Sequence, residues 1–133
     1  GAEAVGAMEV LYKSTVEYCK TREQFGQPIG KFQVLQHRMV DMFMEHEQSK
    51  SLLYMAAIKM SSADVTEKKR SISALKVQVG KSGRFVGQNA IQLHGGMGMT
   101  DELNIGHYFK RLTAIETLFG NVDHHLKKYS NVA

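Results

Sequence analysis

One cysteine, one proline and no tryptophan occur in 133 residues, and each scarcity removes a class of answer. A lone Cys19 makes no internal disulfide, which argues against a disulfide-stapled secreted scaffold and for a reducing compartment, the cytoplasm. With Pro28 as the only proline, little in the chain interrupts long helices. No apolar run is long enough to cross a membrane, and no signal peptide is recognisable. Aromatic residues make up 8% of the chain and the net charge is a mild +4. A nucleic-acid surface needs clustered cations interleaved with stacking rings, so no nucleic-acid partner is expected. The one dense basic run, Lys68-Lys69-Arg70, reads as a solvated helix start, with a surface for nucleotide phosphates as the alternative.

What is present is helical periodicity. At 43% hydrophobic and 23% charged residues, the chain reads as one globular domain that buries roughly two thirds of its unfolded surface. Val5, Met8, Tyr12, Thr15 and Cys19 make the stripe of a first helix, which ends near Thr21 and has no capping residue ahead of it; that uncapped start suggests a fragment. Residues 22–30 contain glycines and Pro28 and read as a loop. A second helix is expected from about Phe32 to Ser62, with Leu35, Met39, Met42, Leu53, Ala57 and Met60 on one face and Met44 and Met55 also assigned to the core. His46 and Ser49 interrupt the stripe and are read as satisfied core polar groups rather than a second contact surface. Thr66 is the expected cap of a third helix, with Glu67 in its first turn. There Ile72, Leu75, Val79, Val86, Ala90 and Leu93 form the stripe, and Gly80, Gly83 and Gly87 permit close approach of a neighbouring helix or a ligand. After a glycine turn, Tyr108, Leu112, Ile115, Phe119, Val122 and Leu126 keep helical spacing, broken at Gly120. The expected fold is all-α, an up-down antiparallel helical bundle.

The third helix ends abruptly in Gln92-Leu93-His94-Gly95-Gly96-Met97-Gly98, where bare backbone lies beside a polar pair in the last helical turn. The pattern is neither a dinucleotide-binding G-x-G-x-x-G nor a P-loop, and by itself it is a common helix stop. His107 and the adjacent His124-His125 make a weak metal motif, because neighbouring residues point about 100° apart on a helix; no metal is expected. Cys19 reads as a buried small hydrophobe rather than a nucleophile.

Three segments together are specific. Arg22-Glu23-Gln24-Phe25-Gly26-Gln27-Pro28-Ile29, Phe32-Gln33-Val34-Leu35-Gln36 and Gln92 to Gly98 resemble, in order and at matching intervals, the C-terminal helical domain of the acyl-CoA dehydrogenases. The resemblance covers essentially the whole chain. It implies a flavoprotein that oxidises acyl-CoA thioesters to enoyl-CoA and assembles as a homo-oligomer, a dimer or tetramer. It also implies N-terminal helical and middle β-domains preceding this one, without which residues 1–133 are expected to be inactive. In the family FAD lies at a subunit interface. Arg22 takes the place of the arginine that meets the pyrophosphate, a role suited to a bidentate guanidinium fork, with Phe25 nearby. Gln33 holds the next FAD contact, the Gln92, Leu93, His94, Gly95 and Gly96 turn approaches the adenosine half, Asn121 and Asp123 match further FAD contacts, and Gly120 borders the substrate.

The sequence departs from the family at the catalytic position. The glutamate that removes the α-proton falls on Phe119, followed by Gly120 and Asn121, and phenylalanine is no base. Lys110-Arg111 replaces a basic-acidic pair, and His107 replaces a lysine or arginine. Three explanations stay open: a base carried further upstream on the first helix, a non-catalytic subunit paired with one that has the glutamate, or a flavin monooxygenase or oxidase relative. Glu116, one turn before Phe119, is displaced by about 5 Å, too far for direct proton transfer. A helical interaction module without cofactor is the alternative from outside the family.

Overall fold

The computed structural model describes residues 1–24, 26–95 and 104–132. Five helices run through it: α1 (Ala2–Thr21), α2 (Gln33–Lys59), α3 (Val65–His94), α4 (Ile105–Thr117) and α5 (Val122–Val132). The segment after α1 adds strands β1 (Glu23–Gln24) and β2 (Gln27–Pro28) as a small antiparallel hairpin, with Glu23 opposite Pro28, and then a 3-10 turn at Ile29–Lys31. The sequence marks that segment only as a loop. The hairpin closes through Gly26 at φ +80°, a value tight turns take most easily at glycine.

Named contacts fix the directions of the helices. Tyr12 of α1 meets Phe43 and His46 midway along α2, with ring centroids 5.7 and 5.2 Å apart, while Gly30, just before α2, packs on Cys19 near the end of α1. The two helices are therefore antiparallel. Lys59 of α2 pairs with Glu67 of α3 at 2.9 Å, and Glu45 further back in α2 accepts a 2.5 Å hydrogen bond from Ser82, so α2 and α3 are antiparallel too. Along α3 the partners change: Gly87 lies against Phe109, Gly83 against Leu112, Gly80 against Glu116 and Val122, Ser73 against His125, and Arg70 against Tyr129. Helices α4 and α5 thus lie end to end and share the fourth position of an up-down bundle, antiparallel to the 30-residue α3.

The three glycines of α3 find their reason here. A Cβ at Gly87 would collide with the Phe109 ring, and one at Gly80 would press on Val122, so their absence lets α4 and α5 seat directly on the α3 backbone. Ala4, Val5, Met8, Leu11, Cys19, Met42, Val79, Val86, Ala90, Leu93, Ile105, Leu112 and Ile115 form the core. Thr15 sits within it and donates to the Leu11 carbonyl, and burial pushes the Cys19 thiol up.

Several expectations need correction. The N-cap of α3 is Asp64, whose carboxylate accepts from the backbone N–H of Thr66 and Glu67; Thr66 is the second helical residue. Helix α2 stops at Lys59, and Met60 to Ser62 form a turn. Met42 is fully buried, but Met44, Met55 and Met60 are 51%, 38% and 54% exposed, and Ala56 rather than Ala57 faces the core. With Val40, Phe43, Tyr54 and Ile58, Met44 and Met55 leave an exposed apolar stripe along α2. Ile72 is exposed as well. Ser49 is satisfied by the Glu45 carbonyl, but His46 is not a satisfied core group: among the described residues neither buried ring nitrogen has a hydrogen bond, and the Glu47 carboxylate lies 3.5 Å from Nδ1. The run at 68–70 lies in the opening turns of α3, where Arg70 leaves solvent to stack over Tyr129 at 4.7 Å and donate to its hydroxyl.

Candidate functional site

Two groups of expected site residues separate along the bundle. The first gathers where α1 ends, α2 begins and α3 ends. Arg22 is the extended residue that terminates α1, and its exposed guanidinium makes no ion pair or hydrogen bond among the described residues. Gln33 is the exposed first residue of α2, and Gln92 is exposed in the last turn of α3. Gly95 caps α3 at φ +61° with its N–H on the Gln92 carbonyl, and nothing stands within 4 Å of where a Cβ would be. Leu93 and His94 turn the other way, buried at 6% and 3% exposure. The His94 ring lies on Tyr18 of α1 with centroids 4.3 Å apart, and this stack ties the end of α3 to the last turn of α1. Neither His94 nitrogen has a hydrogen-bond partner among the described residues, and burial pushes its pKa down. Phe25 and Gly96 lie outside the described residues.

The arrangement suits a diphosphate-bearing dinucleotide. Among the described residues it offers a guanidinium without a partner for bidentate contact, exposed carboxamides that both donate and accept, and a glycine with no neighbour at its Cβ position, where a ligand can approach backbone.

The second group is the turn between α4 and α5. Phe119 takes the left-handed conformation at φ +59°, Gly120 follows at φ +99°, and the Phe119 side chain is 93% exposed. The backbone is held by a residue that periodicity does not flag. His125, 6% exposed, places Nε2 2.9 Å from the Phe119 carbonyl and Nδ1 3.2 Å from the Ser73 hydroxyl. A carbonyl only accepts, so Nε2 carries a proton; burial disfavours a second proton on Nδ1, and in the neutral ring Nδ1 accepts from Ser73. Burial pushes its pKa down, against a smaller upward pull from the Phe119 carbonyl. Asn121 spends its side-chain oxygen capping α5, 2.9 Å from the His124 N–H, and Asp123 is exposed in the first turn.

Beside this turn lies a cavity of about 340 Å³ lined by Ile72, Leu75 and Lys76 of α3, Ile115 of α4, Leu118, Phe119, His125, and Gly1 and Glu3 at the start of the chain. It holds no free base among the described residues. Glu3 receives a bidentate hydrogen bond from Arg111 at 2.5 and 3.0 Å, which holds its carboxyl below the usual range. This pair explains the arginine at 111, where the resemblance leads one to expect an acid. Glu116 accepts the Val122 N–H at 3.1 Å and lines the groove beside Gly80 instead, so it does not stand in for the base. Lys76 donates to the carbonyls of Ile115 and Glu116 and closes the end of α4. Lys76 belongs to no motif and His125 reads in the sequence only as half of a weak metal pair; each acts across about 40 to 50 residues or across a turn, where spacing carries no signal.

From the middle of this turn, opposite Gly80, to Gln92 the distance along α3 is roughly 18 Å at about 1.5 Å per residue. Within one chain the two groups do not meet.

Known proteins share this fold. Residues 1–130 match the family model described as acyl-CoA dehydrogenase, C-terminal domain. The acyl-CoA dehydrogenase IpdE2 of Mycobacterium tuberculosis is 38% identical over 112 residues, covering 83% of this chain and 32% of that protein. The L-prolyl-[peptidyl-carrier protein] dehydrogenase of Serratia is 34% identical over 124 residues, covering 90% of this chain and 30% of that protein. The FAD complex of PigA superposes with a TM-score of 0.89 at 29% identity, covering 96% of this chain and 33% of that one. The chain thus spans about a third of the length of these relatives. No described helix is long and apolar enough to cross a membrane. The bundle, its glycine-ended third helix and the match over residues 1–130 together place the chain in the acyl-CoA dehydrogenase family, as its C-terminal domain.

Proposed function

We propose that this chain is the FAD-holding, oligomer-forming domain of a flavoenzyme that carries out α,β-dehydrogenation of an acyl thioester, preceded in the whole protein by N-terminal helical and middle β-domains. The observation that carries the reading is the Arg22 guanidinium, without a partner among the described residues, at the bundle end that also exposes Gln33, Gln92 and Gly95. Arg22 would hold the pyrophosphate, Gln33 and Gln92 the polar edges of the dinucleotide, and Gly95 its close approach to backbone. Bound FAD supplies the hydride acceptor. The Asn121 and Asp123 turn belongs to a second contact region. Its separation from Arg22 along the bundle suits a cofactor shared between two copies, each contributing one region. The exposed stripe of Val40, Phe43, Met44, Tyr54, Met55 and Ile58 supplies an apolar face for such an assembly.

The second reading is a subunit without its own base, paired with one that has it. It is favoured by Phe119 at the position of the glutamate and by the engagement of Glu3 with Arg111 and of Glu116 with Val122. A carrier-protein thioester is an alternative to acyl-CoA, as the name of the Serratia relative indicates for that protein.

The test is a visible spectrum of the complete gene product, recorded without oxygen while acyl-CoA thioesters are added, alongside Arg22→Ala. The flavoenzyme reading expects bound flavin that Arg22→Ala releases. Bleaching by a thioester supports dehydrogenation; flavin that stays oxidised supports the non-catalytic subunit; no flavin in the wild type refutes both.

A further inference from the structure

The cavity beside Phe119 has an electrostatic feature that the reaction above leaves unused. Its walls are mostly apolar, from Ile72, Leu75, Ile115, Leu118 and Phe119. Of the titratable groups that line it, His125 is bonded at both nitrogens with burial disfavouring its charged form, Glu3 is matched by Arg111, and the amino group of Gly1, the first residue of this chain, faces Lys76 as a like charge. That leaves Lys76. Its ammonium is half-buried, and its partners are two backbone carbonyls, those of Ile115 and Glu116. Those oxygens satisfy two of three N–H groups and offer the partial negative charge of a helix end, about half an elementary charge. The one carboxylate whose charge acts on Lys76 among the described residues is that of Glu116, which forms no ion pair with it and has Oε1 on the Val122 N–H. A cation only partly compensated at an apolar wall is costly by itself, and the cost falls when an anion enters beside it.

We propose that this cavity binds an apolar group that carries a carboxylate or another oxyanion, with Lys76 as its counter-ion. The identification of that group as part of the substrate rests on the flavoenzyme reading: the acyl moiety would then bear an anionic group in addition to its thioester. Binding of the anion itself needs only the cavity and Lys76. The third ammonium N–H donates to the incoming oxyanion, while the other two stay on the end of α4. The apolar body packs against Leu75, Ile115 and Leu118, and the exposed Phe119 ring forms the rim.

The experiment is calorimetric titration of the full-length protein as purified, at neutral pH, with cyclohexylacetate and its uncharged isostere cyclohexylacetamide. Cyclohexylacetate is expected to bind at least about tenfold more tightly, because a charge-assisted hydrogen bond in an apolar site is worth more than a neutral one. Lys76→Arg keeps most of the preference. Lys76→Met abolishes it while leaving the affinity for the amide within about twofold. Because Lys76→Met also uncaps α4, its circular dichroism and melting are followed in parallel. Should it unfold, the decision falls to the wild-type probe ratio and its survival in Lys76→Arg. Equal binding of the two probes, binding of neither, or a preference that persists in folded Lys76→Met overturns the proposal. Flavin content is read from the visible spectrum of the same samples. Protein that keeps flavin but shows no probe preference sinks the anion site alone; protein without flavin that shows the preference sinks the flavoenzyme reading alone.

Discussion

Replacing three glycines by alanine, one at a time, tests whether α4 seats on the α3 backbone. Alanine is worth about 1 kcal/mol over glycine in a helix interior, so wherever the added methyl meets nothing the substitution stabilises. Gly6 in α1 is such a place, exposed and with nothing within 4 Å of its Cβ position. At Gly83 the methyl would stand 3.3 Å from the tip of Leu112, a flexible side chain that gives a few tenths of an ångström, and gain and loss nearly cancel. At Gly87 it would overlap the face of the Phe109 ring, and forcing an extra carbon into a packed seam costs about 1–3 kcal/mol. After the propensity gain, Gly87→Ala loses up to about 2 kcal/mol. An unfolding entropy of about 2.1 cal/mol/K per residue means that each kcal/mol moves Tm by about 3.6 °C in a chain of this size. Thermal melts followed at 222 nm should therefore show Gly6→Ala up by about 3–4 °C, Gly83→Ala near the parent, and Gly87→Ala down by as much as about 7 °C. A Gly87→Ala protein that gains as much as Gly6→Ala would mean that α4 does not contact α3 there, and the account of the fourth bundle position would fail.

Two further outcomes follow from the same structure. His46, His94 and His125 all have pKa values pushed down by burial, so below the ordinary imidazole value of 6.5 the unfolded chain takes up protons that the folded chain refuses. Their contribution is complete above that value and is lost as pH falls through it, whereas the lowered carboxylates Glu3, Glu9 and Glu67 come into play only below about 4.5. Urea unfolding at pH 7.5 and 5.5 should show lower stability at the acid value, with a smaller drop in His94→Phe; a stability that does not change between the two would refute it. Asp64→Ala removes the carboxylate that receives two N–H groups of α3 and should cost about 1 kcal/mol, while Thr66→Ala costs little; equal losses would restore Thr66 as the cap.

The helices were legible because each carries a stripe, and the α3 glycines were legible because an interior glycine without a packing reason is a liability. The α2 methionines were misassigned for an equally physical reason. Met44, Met55 and Met60 recur at helical spacing, and periodicity marks a side that avoids water without distinguishing the chain's own core from the surface of an assembly. Asp64 and Thr66 are both ordinary caps, and only the hydrogen bonds choose between them. At the candidate site, Arg22, Gln33 and Gln92 were visible as motif positions, whereas Lys76 and His125 act across distant elements, so neither leaves a pattern in the chain. His46 went wrong because burial can be read from a stripe but the partners of a ring nitrogen cannot.

The break between α4 and α5 has a consequence for how such a bundle can change its chemistry. A helical bundle ordinarily offers irregular backbone only at its two ends; here a left-handed residue opens a window in the side wall, facing the middle of α3. The frame of that window is backbone held by His125 and Ser73 from behind, and the side chain at 119 projects almost wholly outward. Any residue that tolerates the left-handed conformation fits that frame, so architecture and side-chain chemistry are separately adjustable at this point of the bundle.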